Sequence, residues 1–100
     1  MAAEKQFENK IKAYLKSKGA WFVKYWAGKS YDGKTYTKSG IPDLLVCYKG
    51  RFIAIEVKAD NGHPTDLQLY NLRKIEAAGG KGFLLYPKDW ESFKQYIESL

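Results

Sequence analysis

A chain of 100 residues, 45% apolar and 16% aromatic, is long enough for one modest hydrophobic core, which excludes a disordered tract and gives no reason to expect a second domain. No apolar run nears the ~20 residues a membrane-spanning helix needs, the amino terminus lacks the apolar core of a signal peptide, and a lone cysteine, Cys47, rules out an internal disulfide, so the expectation is a cytoplasmic protein. The net charge of +6 is concentrated: residues 1–40 hold nine Lys against three acids, while residues 41–100 balance eight against eight, an asymmetry that suits a polyanionic partner such as nucleic acid or, equally, plain solubility.

The first predicted element is a helix over residues 4–18, with Phe7, Ile11, Tyr14 and Leu15 at helical spacing and Gly19 as its stop. Residues 20–26, AWFVKYW, are β-branched and aromatic and predict a strand. A loop or irregular hairpin rich in Gly, Ser and Thr follows. Two further strands, PDLLVCY and RFIAIEVK, flank Lys49-Gly50, which suits a tight turn. Thr65 is placed to cap a helix running to about Ala78, Gly79-Gly80 ends it, KGFLLY is a fourth strand, and residues 89–100 form a last amphipathic helix. Strands 2 and 3 are apolar on both faces, with Leu44, Val46, Ile53, Ile55 and Val57 on one and Leu45, Cys47 and Ala54 on the other. The fold expected is therefore α/β, a central mixed sheet flanked by helices on both faces, with Cys47 packed inside.

A two-residue turn at Lys49-Gly50 makes paired residue numbers across the hairpin sum to 99, which sets Asp43 directly opposite Glu56. Two carboxylates so placed repel each other unless a cation lies between them, and an oxygen-only pair suits a hard divalent ion, Mg²⁺ or Mn²⁺. Lys58, two residues beyond Glu56, points to the same side. There it can orient a metal-bound water or balance charge on a phosphate. The plainer alternative is a strand-end Glu–Lys pair with Asp43 capping a turn after Pro42. Glu8 lies at the edge of the first helix's apolar stripe, where it either faces the sheet or stands as an ordinary solvated glutamate, with Glu4 a weaker candidate one turn earlier. Gln68 projects with Leu72 and Ile75 from the second helix. It either bonds a water, phosphate or carboxylate at the site or closes a capping box with Thr65.

SGIPDLLV, the later EVK and the helical Gln68 together resemble the PD-(D/E)xK nuclease superfamily. More specifically they resemble its small virus-type replication-repair nuclease (VRR-NUC) domains, often phage-encoded and related to Holliday junction resolvases. The resemblance extends from Glu8 to about Tyr86 and implies a restriction-endonuclease-like αβββαβ core. It implies that Asp43 and Glu56 bind metal with the Val57 carbonyl, that Lys58 is the catalytic lysine, and that Glu8 and Gln68 complete the site. The implied reaction is metal-dependent hydrolysis of a DNA phosphodiester by in-line attack of water, leaving a 5′-phosphate. Resemblance to resolvases also implies a homodimer acting on branched DNA, and a phage-encoded enzyme would work in the bacterial host's cytoplasm.

Residues 24–40 interleave Lys24, Lys29, Lys34 and Lys38 with Tyr25, Trp26, Tyr31 and Tyr36, a pattern in which ammonium groups contact phosphates and aromatic rings stack on exposed bases. Because this stretch leads into Asp43, Lys38 and Ser39 are the candidates for the phosphate nearest the cut, with Lys29, Lys34 and Tyr36 as further DNA-binding candidates. The alternative is a solvated hairpin. His63, in a turn, reads as a loop residue. Two other functions fit the same residues: a branched-DNA-binding module that does not cut or needs a partner, and a nicking nuclease on linear duplex.

Overall fold

In a computed structural model of the protein, in which residues 2–25 and 39–100 are described, the centre of the sheet is a hairpin. Its arms are β2 (Leu44–Tyr48) and β3 (Arg51–Val57). Lys49 and Gly50 turn it with φ of 50° and 77°, the positive-φ pair of a two-residue turn whose twist matches that of the strands. Tyr48 pairs with Arg51 and Leu44 with Ile55, so every pair sums to 99, as the turn requires. The short β1 (Trp21–Lys24) runs antiparallel along β2, Lys24 opposite Leu44. On the other side β4 (Lys81–Leu85) joins β3 in parallel, giving a mixed sheet in the order β1-β2-β3-β4. A parallel neighbour needs a crossover, and α2 (Asp66–Ala77) supplies it.

Helix α1 (Ala2–Ser17) buries Phe7, Ile11 and Leu15, four residues apart each time, and ends where Gly19 turns left-handed. After a short 3₁₀ turn at Pro87–Asp89, α3 (Trp90–Glu98) adds Phe93 and Ile97 to the same cluster. These side chains close over Leu44, Val46, Ile53, Ile55, Val57 and Leu85. This is the face that the alternation predicts to be apolar, and it holds the main core. Edge-on aromatic contacts tie α3 to its neighbours: Tyr14 of α1 meets Trp90, and Phe83 of β4 meets Phe93, with ring centroids 5.4 and 5.1 Å apart.

Helix α2 covers the opposite face, but only over β3 and β4. A Cβ on Gly82 would meet Leu72 at 3.2 Å, and one on Gly80 would meet Ile75 at 2.9 Å, so the glycines let this helix lie close on the sheet. Beyond it, the row Trp21–Cys47–Phe52 and the neighbouring Val23 remain open, with Trp21 62% and Phe52 44% exposed. This corrects the reading of Cys47 as buried: the cysteine is exposed. Alternation assigns a residue to a face, whereas burial depends on how far the covering helix reaches. Among the described residues, no helix is long and apolar enough to cross a membrane.

Candidate functional site

The hairpin's register carries one step beyond Leu44 and Ile55, so Asp43 lies across from Glu56 where the β2–β3 ladder ends. Two backbone bonds pin Asp43 there. Its Oδ2 accepts the Val57 N–H at 2.8 Å, and its carbonyl accepts the Tyr25 N–H at 2.8 Å. Val57, expected to contribute its carbonyl to a metal, contributes its N–H to Asp43 in this arrangement. The turn into Asp43 is held from α2: buried Asn71 donates from Nδ2 to the Gly40 carbonyl at 3.0 Å. Gly40 has φ of 75°, and a Cβ there would lie 2.6 Å from Leu67 Cγ, so the SGIPD approach demands glycine at this point.

Glu56 is only 3% exposed. Its Oε2 has the Lys58 ammonium at 3.3 Å, while Oε1 is buried with no hydrogen-bond partner. Burial, together with the Asp43 charge beside it, pushes the Glu56 carboxyl up to about 7 against the pull of Lys58. Lys58 extends β3, its N–H donating to the Leu85 carbonyl at 3.0 Å, and its stem lies against Gly62. Asp43, Glu56 and Lys58 therefore converge as the sequence predicts.

An orphaned carboxylate oxygen next to a second carboxylate is unfavourable in the absence of a positive charge. The donor set is hard oxygen, so a divalent Mg²⁺ or Mn²⁺ held by Asp43 and Glu56 fits these residues. No three acidic, His or Cys side chains meet at one point among the described residues. Glu8, also 3% exposed, is turned towards lysines: Oε1 accepts from Lys24 Nζ at 2.6 Å, and Oε2 has Lys12 at 3.4 Å and Lys5 at 4.0 Å without a well-formed hydrogen bond. Burial alone would raise the Glu8 carboxyl, but Lys24 and Lys12 outweigh it and hold the group below its ordinary value. Among the described residues, Glu8 is linked to Asp43 through Lys24, whose ammonium is 3.6 Å from Asp43 Oδ1.

Gln68 closes the capping box. Its Oε1 accepts the Thr65 N–H at 2.9 Å and its own N–H donates to Thr65 Oγ1 at 3.1 Å, which leaves the amide nitrogen for any other contact. Ser39 is exposed at the start of the turn into Asp43. Lys29, Lys34, Tyr36 and Lys38 lie outside the described residues, and His63 is exposed in its turn.

Two residues were not read as part of the site. Asn71 carries no sequence signal beyond a polar side chain on an apolar helix face. Lys24, in the predicted strand, reads as a DNA-contacting cation, yet it sits on the α1 face of β1, two residues after Phe22, and alternation along the strand signals that placement. No model of a known protein family matches the chain, and no curated protein matches it.

Proposed function

We propose that this protein is a divalent-metal-dependent, structure-selective DNA endonuclease of the PD-(D/E)xK type, a VRR-NUC-like domain with a restriction-endonuclease-like core, related to Holliday junction resolvases. The element order α1-β1-β2-β3-α2-β4 supports the kinship. The observation that carries the activity is Asp43 opposite buried Glu56, whose Oε2 faces the Lys58 ammonium while its Oε1 has no partner. A strand-end Glu56–Lys58 ion pair accounts for Oε2 alone and gives no reason for Asp43 to face the same carboxylate, and a pure DNA binder has no use for opposed carboxylates.

Mg²⁺ or Mn²⁺, when bound, supplies Lewis-acid stabilisation of the phosphate and a water of lowered pKa. The chain's residues do the rest. Asp43 and Glu56 hold the cation at the end of a rigid hairpin, and Asp43 is itself fixed by the Val57 N–H. Lys58, 3.3 Å from Glu56, orients the attacking water or neutralises the charge growing on the phosphate. The lysine-rich first forty residues attract the DNA backbone. A junction has two strands to cut, so two sites related by symmetry, a homodimer, belong to the same reading, as does action in the cytoplasm of a bacterial host.

The test is cleavage of four-way junctions, flaps and plain duplex at equal concentration with Mg²⁺ or Mn²⁺. Asp43→Ala, Glu56→Ala and Lys58→Ala are each expected to lose cleavage while keeping the fold. Full activity in EDTA refutes the proposal. Tight junction binding without nicking under any divalent ion supports a binding module instead, and equal cutting of plain duplex supports a simple nicking nuclease.

A further inference from the structure

Both oxygens of Asp43 are already engaged, Oδ2 by the Val57 N–H and Oδ1 by the Lys24 ammonium. Glu56, in contrast, has an oxygen with no partner. A cation arriving between the two carboxylates finds Glu56 open and Asp43 shared with a lysine. That lysine is held unequally, 2.6 Å from Glu8 and 3.6 Å from Asp43. It can leave Asp43 without losing its shorter bond. Glu8 is nearly fully buried among three ammonium groups: a ligand on its Oε1 must displace Lys24, and its Oε2, though without a hydrogen bond, has Lys12 and Lys5 beside it.

We infer that Lys24 is an internal counter-cation of the metal-free protein, competing with the divalent ion for Asp43, and that Glu8 acts as the anchor onto which Lys24 withdraws rather than as a metal ligand. The inference rests on Asp43 and Glu56 being the metal site. It makes Lys24 and Glu8 positioning residues that set the affinity for the ion without touching it. In the metal-free state Lys24 neutralises Asp43, and when the ion binds the ammonium is drawn fully to Glu8.

The experiment is calorimetric titration of the full chain with MnCl₂, without DNA, for wild type, K24M, E8Q, the double variant and D43N. Removing a unit positive charge a few ångströms from a divalent ion strengthens its binding by about tenfold or more even at water-like screening, so K24M is expected to bind Mn²⁺ at least that much more tightly. E8Q, which removes the anchor and leaves Lys24 on Asp43, is expected to bind more weakly. In the K24M background the E8Q substitution is expected to have little effect, because the lysine that Glu8 shares with Asp43 is gone. Unchanged or weaker binding by K24M overturns the inference, as does an equal E8Q loss in both backgrounds, which would make Glu8 a ligand. If D43N binds Mn²⁺ as wild type does, or wild type binds none, the metal-site reading itself fails and this inference with it. Should K24M not fold, a Mg²⁺ titration of wild type followed through the Lys24 ε-methylene resonances decides: movement that saturates with the ion supports the withdrawal, and no movement overturns it.

Discussion

Replacing Glu56 with Gln tests the electrostatics of the site without DNA or catalysis. In the metal-free fold this carboxyl titrates at about 7 rather than 4.5, first because it is buried and then because Asp43 stands beside it. Between those values the folded protein keeps a proton that the unfolded chain has released. The contribution to stability is therefore fully present below about pH 4.5 and is lost as pH rises through 7. The shift is worth about 3 kcal/mol when the loss is complete, or roughly 10–20 °C of melting temperature in a domain of this size. Glu8 does not blur the window, since its lowered value places its own loss on the acid side. Thermal and urea unfolding in EDTA from pH 5 to 8 are expected to show wild-type stability falling while Glu56→Gln stays nearly flat. The variant then becomes the more stable protein at pH 8, and saturating Mn²⁺ restores wild type alone. Parallel pH profiles for the two proteins refute the account of Glu56 as a destabilised, cation-seeking carboxylate.

Saturation with Mn²⁺ at a hundred times its dissociation constant stabilises the fold by about 2.7 kcal/mol, and Asp43→Asn is expected to lose most of that gain in the same melting assay. Thr65→Ala removes the hydroxyl that caps α2 and is expected to cost about 1 kcal/mol in urea unfolding. If Gln68 serves only the capping box, Gln68→Ala lowers stability similarly and leaves the rate of a single cleavage turnover unchanged. Trp21, exposed beside Cys47 and Phe52, lies on the half of the sheet that α2 does not cover. If a second copy of the chain packs there, Trp21→Lys shifts the mass measured by light scattering from dimer to monomer.

The order of elements was legible in the sequence because each one announces itself locally: four-residue apolar spacing in α1, alternation in β2 and β3, and glycines at the ends. The opposition of Asp43 and Glu56 was legible too, since a two-residue turn leaves a single register and each strand residue has a determined face. Cover was not legible. Cys47 occupies the face that alternation assigns it, but α2 stops short of it, and only the assembled packing decides where a helix ends its reach. The same holds for Lys24 and Glu8, which the sequence offers as a DNA-contacting cation and a metal ligand. Their meeting at 2.6 Å sets the middle of α1 against the far end of β1, a pairing that neither helical spacing nor the Gly19 turn specifies. Sequence determines what lies near along the chain and across a hairpin, while the partners of a buried charge are chosen by the tertiary contacts that remove it from water.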